Sequence, residues 1–186
     1  WVVRHAVAEV KSWMDQGLPP IRLAVNFSSL QVEQANLVDN VISTLAEFDF
    51  PPHYFELEIT ENNMMHDLEG MVKKMQSLAD HGVTVAIDDF GTGYSSLSYL
   101  HTLPIHTVKL DQSFVRNIQS VDLEVSIVNA ICAMAHGLGL NIVAEGVESQ
   151  SQHDYLKNLG CQEVQGYLIS RPLSGTAFLQ FLADRQ

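Results

Sequence analysis

Apolar residues along this chain fall into two alternating patterns. Short runs of strand length each end in a polar side chain. Ile21–Val25 runs into Asn26, Phe55–Leu57 into Glu58, Thr84–Ile87 into Asp88 and Asp89, His106–Val108 into Lys109, Asn141–Ala144 into Glu145, and Glu163–Val164 into Gln165. Between these runs, apolar positions recur every three or four residues, the period of a half-buried helix. The stripes are Val3, Ala6, Val10 and Trp13; Leu37, Val38, Val41, Ile42 and Leu45; Leu68, Met71, Val72, Met75 and Leu78; and Ile127, Val128, Ile131 and Met134. Gly17 with Pro19-Pro20, Pro51-Pro52, Gly82, and Gly137 with Gly139 end these helices, while Asp67 and Asp122 read as N-caps. The expected strands are 21–26, 54–60, 83–88, 106–111, 140–145 and 161–168, with further helices over 150–159 and from about 174.

Strands that alternate with helices form a parallel sheet with the helices outside, an α/β fold. An open doubly wound sheet accommodates six strands, but no GxGxxG follows the first strand and no phosphate-binding loop is present. The better reading is a TIM-like (β/α)8 barrel with its first two strands missing from this chain, since such a barrel needs eight. Trp1-Val-Val-Arg opens in mid-helix without an initiator Met, in keeping with a piece of a longer protein. No linker or low-complexity segment interrupts the rhythm, so 1–186 is expected to be one domain, in part.

Parallel strands point their C-terminal ends one way, so the polar tips should converge. Strand parity agrees: Glu56, Glu58 and Thr60 share one face, Phe55, Leu57 and Ile59 the other, and Thr107, Lys109 and Asp111 oppose Val108 and Leu110. Glu56 lies deeper than Glu58 and calls for a cationic or hydroxyl partner. Asn26, Glu58, Asp88, Asp89 and Glu145 are oxygen donors of the kind that hold Mg²⁺ or Mn²⁺. A pair of such ions would suit in-line phosphoryl displacement. Asp111 and Asp122 read as turn and cap residues. The net charge of −12 excludes a broad nucleic-acid-binding face, although bound cations would admit a small anionic substrate. Cys132 and Cys161 have no CxxC or zinc spacing and read as two buried thiols in a reducing cytoplasm. No apolar run approaches the roughly 20 residues of a membrane span.

Several segments together are similar to one family. Val25-Asn-Phe-Ser-Ser, Leu57-Glu-Ile-Thr-Glu, Asp88-Asp-Phe-Gly-Thr-Gly-Tyr-Ser-Ser-Leu, Val108-Lys-Leu-Asp, Val143-Ala-Glu-Gly-Val-Glu, Val164-Gln-Gly-Tyr and Arg171-Pro-Leu resemble, in order, the EAL-domain family of cyclic di-GMP phosphodiesterases. The resemblance implies a barrel with an antiparallel first strand that hydrolyses cyclic di-GMP to linear pGpG using two Mg²⁺ or Mn²⁺ ions. It implies that Asn26, Glu58, Asp88, Asp89 and Glu145 hold metal, and that Lys109 holds and polarises the attacking water. Glu148 and Gln165 would position water, completing with Lys109 and Glu145 the catalytic set. Glu61 would pin the loop 89–96, and Tyr167, Arg171 and Pro172 would meet substrate. The Glu-Ala-Leu strand that names the family is absent and would precede residue 1, with one further metal ligand. The rival readings are a catalytically inactive cyclic di-GMP receptor and an unrelated metal-dependent barrel acting on sugar phosphates. The family further implies upstream sensory or GGDEF domains, a homodimer formed through the helix near Ser95 to Leu103, and a cytoplasmic domain that upstream segments could tether to a membrane.

Overall fold

A computed structural model of the chain describes residues 1–61, 67–92, 100–116, 118 and 122–185. The first half runs α1 (Val2–Asp15), β1 (Leu23–Phe27), α2 (Ser29–Glu33), α3 (Leu37–Glu47), a 3₁₀ turn (Pro52–Tyr54), β2 (Phe55–Thr60) and α4 (Leu68–Asp80). The second half runs β3 (Thr84–Phe90), β4 (Thr107–Leu110), α5 (Gln112–Arg116), α6 (Asp122–Gly137), β5 (Asn141–Ala144), α7 (Gln150–Asn158), β6 (Glu163–Val164) and α8 (Gly175–Ala183).

The six strands form one sheet in the order β1-β2-β3-β4-β5-β6, every neighbouring pair parallel. A doubly wound sheet reverses its strand order at a switch point, and this one does not. Each crossover therefore stacks its helix on the same side, and the sheet curls away from the helices into a half-barrel. Its two ends come within side-chain reach: Arg22, just before β1, pairs with Glu163 on β6.

The main core lies between the outer face of the sheet and the helices. Val25, Leu57, Ile59, Val85, Ile87, Val108, Leu110 and Ile142 meet Val7, Val41, Leu45, Met75, Leu78, Val128 and Leu156 there, all buried. Each large side chain so buried contributes about 1.5–3 kcal/mol. The helical stripes fall inward as expected, although on α1 the most deeply buried residue is Val7 rather than a member of the stripe. Asp67 caps α4, its carboxylate accepting from the Gly70 amide at 3.0 Å.

The expected elements change at the last strand and at two short helices. The last strand is only Glu163–Val164, not 161–168, because the chain turns at Gly166: the amides of Ile169 and Ser170 both donate to its carbonyl. A side chain at Gly166 would put Cβ 2.2 Å from the Val147 carbonyl oxygen, so only glycine allows this approach. Helices α2 and α5, five residues each, are too short to show a period. Asp111 acts at the start of α5, its carboxylate accepting from the Ser113 amide at 2.9 Å. Residues 93–99, which make up half of the 89–96 loop and most of the helix expected near Ser95 to Leu103, lie outside the described residues. Among those described, no helix is long and apolar enough to cross a membrane.

Candidate active site

The polar tips meet around a single ammonium group. Lys109 Nζ lies 2.9 Å from Glu58 Oε2, 2.8 Å from Glu145 Oε1 and 3.1 Å from Asp88 Oδ1, so β2, β3, β4 and the end of β5 each contribute one member. Lys109 is 4% exposed, Glu58 6% and Asp88 8%, so these charges have left bulk water. Asn26 stands beside Glu58 in strand register, and Thr60 beside Asp88.

Lys109 can reach Glu58, two strands away, because the intervening position is small. Ala86 on β3 is in register with both Glu58 and Thr107 and is fully buried. One layer deeper, the Thr107 hydroxyl crosses the same strand to donate to Glu56 Oε2 at 2.9 Å, while Arg22 lies 3.6 Å from the other oxygen of Glu56. The buried Glu56 thus has both the hydroxyl and the cationic partner its position demands.

Adjacent residues of a regular strand point to opposite faces, yet Asp88 and Asp89 both serve this rim. The register between β3 and β4 shifts between Ile87 and Phe90, inserting an extra residue on β3, and Asp89 adopts φ 53°. A bulge of this kind re-aims side chains, and its left-handed backbone is one that Asp tolerates better than bulkier residues. The Asp89 amide donates to Asp88 Oδ1 at 3.0 Å, and the Thr92 hydroxyl donates to the Asp89 carbonyl at 2.8 Å, holding the turn. As a result, oxygens of Asp88, Asp89 and Glu145 lie within 4.8 Å of one another.

Burial pushes the pKa of Glu58 up, opposed by its hydrogen bond to Lys109 and raised further by Asp88 and Glu56. Glu145 is shifted up for the same leading reason, with Asp88 and Asp89 adding to it and Lys109 opposing. Asp89 is raised by burial, by Asp88 and by Asp111. Burial works to lower Lys109, but hydrogen bonds to Glu145 and Glu58 outweigh it and the net shift is upward. The lysine is therefore a fixed ammonium at neutral pH, unable to act as a base. One ammonium set among Glu58, Asp88, Asp89 and Glu145 leaves the rim negative, with hard oxygen donors from several strands: the surroundings a divalent cation takes.

Glu61 is buried and accepts from the Gly91 amide at 2.9 Å, where the chain leaves β3. Beside Glu145, a cleft of about 230 Å³ is lined by Glu148, Gln165 and Tyr167, and also by Gln112 and Arg116. The last two escaped the sequence reading because they ride on the short α5. Gln165 is fixed through its backbone, its amide donating to Ala144 at 2.8 Å and its carbonyl accepting from Val147 at 3.1 Å. Tyr167 faces a second groove as well, which holds Arg171 and Pro172; the Arg171 guanidinium sits 4.4 Å over the Tyr167 ring. Arg171 and Pro172 are thus next to the acidic cleft rather than in it.

A parallel half-barrel with an acidic rim built on one lysine is the class that fold and site define. The chain belongs to the EAL domain family, whose model matches residues 1–172. The cyclic di-GMP phosphodiesterase NbdA of Pseudomonas aeruginosa is 41% identical over 182 residues, covering 98% of this chain and 23% of NbdA. The solved cyclic di-GMP complex of the phosphodiesterase MucR, also from Pseudomonas aeruginosa, aligns with a TM-score of 0.92 at 39% identity, over 96% of this chain and 72% of that one. The manganese and cyclic di-GMP complex of Klebsiella pneumoniae BlrP1 aligns with a TM-score of 0.81 at 28% identity, over 93% of this chain and 45% of that one. The chain spans between 23% and 30% of the length of the curated relatives it is compared with.

Proposed function

We propose that this site, in the protein to which the chain belongs, hydrolyses cyclic di-GMP to linear pGpG with two Mg²⁺ or Mn²⁺ ions. The observation that carries the proposal is the gathering of Glu58, Asp88 and Glu145 around Lys109, with Asp89 re-aimed by the bulge to join them. The family names agree, since the NbdA and MucR relatives are phosphodiesterases. Asn26, Glu58, Asp88, Asp89 and Glu145 would hold the ions; the raised carboxylate pKa values and the excess of anionic oxygens support that fit. When bound, such ions neutralise phosphate charge and lower the pKa of an attacking water.

The residues of the chain do the rest. Lys109, the ammonium among these carboxylates, orients the water and stabilises developing negative charge. Glu148 and Gln165, lining the cleft beside Glu145, position the water for attack on phosphorus in line with the departing 3′ oxygen. Tyr167 presents an exposed ring beside that cleft, and with Arg171 and Pro172 it would receive the substrate. A Glu-Ala-Leu strand of the kind the family resemblance implies would add a further ligand.

The test is turnover of cyclic di-GMP by the intact protein, followed by chromatography of the nucleotides, with Mn²⁺ and with EDTA. Formation of pGpG that needs the ion, and its loss in Glu58→Gln, supports the proposal. Tight binding of cyclic di-GMP without turnover would instead make the protein a receptor. Turnover of phosphosugars alone would place it among other metal-dependent barrels.

A further inference from the structure

We propose that Cys132 and Cys161 form a redox-responsive pair that oxidises to a disulfide, fastening the start of β6 to α6 beside the acidic cleft. The chain has two cysteines, 29 residues apart, with no spacing that links them, yet the fold sets their sulfurs 3.8 Å apart as free thiols. Cys132 lies on α6 and is 2% exposed; Cys161, in the turn before β6, is partly exposed and open to a small oxidant. The sulfurs would close from 3.8 Å to the ~2.05 Å of a disulfide.

The backbone around both sulfurs is already registered. His136, one helical turn after Cys132, contacts the Gly160 carbonyl at 3.2 Å, and the Cys161 amide donates to Leu156 at 3.1 Å. The turn that carries Cys161 is therefore tied to α6 on one side and to α7 on the other. The sulfur–sulfur hydrogen bond lowers the pKa of Cys132 and, with burial, raises that of Cys161, so the two sulfurs are already partnered with each other.

With a peroxide as oxidant the step balances. One sulfur takes an oxygen as the O–O bond breaks and water leaves. The other sulfur then attacks that sulfenic sulfur, the S–S bond forms, and a second water departs. Two thiols lose two electrons and the peroxide is reduced. The bond would fix the chain four residues ahead of Gln165, whose backbone joins Ala144 to Val147 beside Glu145. Pairs of this kind in reducing compartments act as sensors more often than as permanent braces.

The test treats the protein with hydrogen peroxide, then denatures it, alkylates it with iodoacetamide and maps the peptides by mass. Expected are a linked Cys132–Cys161 peptide about 2 Da lighter than the sum of its thiol forms, and loss of both alkylation sites together. Dithiothreitol should restore both sites, and the oxidised protein should melt several degrees higher. Cys161→Ser and Cys132→Ala should each abolish the link and the melting shift. The proposal fails if Cys161 proceeds to sulfinic acid while Cys132 stays alkylatable, if both thiols survive oxidation, or if linkage leaves melting unchanged. None of these readouts requires phosphodiesterase activity.

Discussion

Replacing Lys109 with methionine removes the ammonium from between Glu58, Asp88 and Glu145 while keeping the stem that packs beneath them. The lysine and Glu58 side chains are 5% and 8% exposed, so the loss is that of a buried pair. Stranding buried charge in this way costs about 3–5 kcal/mol. For a domain of this size each kcal/mol moves the melting temperature by ~2–4 °C, so Lys109→Met should melt roughly 6–20 °C lower in EDTA at neutral pH. The sign of the pH dependence follows from the raised pKa values of Glu58, Asp89 and Glu145. Groups of this kind contribute most to stability when protonated, below their unfolded values near ~4.3. That contribution is lost as pH rises through the raised folded values. Without the lysine the carboxylates shift further up and the loss begins at higher pH, so the deficit of the variant should shrink between about pH 7.5 and 5. Added Mn²⁺ should restore much of the stability, but not hydrolysis. Thermal melts of both proteins at the two pH values, with EDTA and with Mn²⁺, read this directly. A variant as stable as the parent in EDTA at neutral pH would refute the charge balance described for the rim.

Ala86→Val should block the crossings from β4 to β2, breaking Lys109–Glu58 and Thr107–Glu56, and cost about 1–3 kcal/mol in urea melts; an unchanged midpoint would mean that the small residue is incidental. Gly166→Ala meets the Val147 backbone and should disorder the Gln165–Tyr167 wall, seen as faster amide exchange at Val147 and Gln165 and reduced turnover. At Asp89, Asn accepts the left-handed backbone and Ala does not. Asp89→Asn should therefore keep the parental melting temperature, and Asp89→Ala should lose about 1 kcal/mol or more. Both should bind Mn²⁺ more weakly by calorimetry, and equal affinity in either would remove Asp89 from the ligand set.

The strand tips were legible because each strand buries one face against helices, so a polar residue at the C-terminal end of an apolar run can point only to the barrel mouth. Glu56 shows how far this reaches, since parity alone demanded the partners that Arg22 and Thr107 supply. The β3 bulge was not legible. Two adjacent aspartates on a regular strand would face opposite ways, and nothing local announces that Asp89 takes a left-handed turn. The extent of β6 was misjudged because the apolar residues beyond Gln165 look like strand, whereas the close approach of Gly166 to Val147 ends the pairing. Arg116 and the Cys132–Cys161 contact depend on which elements become neighbours, a long-range property that no residue spacing encodes.

Anomalous diffraction from crystals grown with Mn²⁺ asks most directly whether the rim is a metal centre. The account predicts manganese peaks bounded by the side-chain oxygens of Asn26, Glu58, Asp88, Asp89 and Glu145, with Lys109 displaced from at least one of its carboxylates. Crystals saturated with Mn²⁺ in which Lys109 keeps all three carboxylates and no manganese lies among these residues would contradict it.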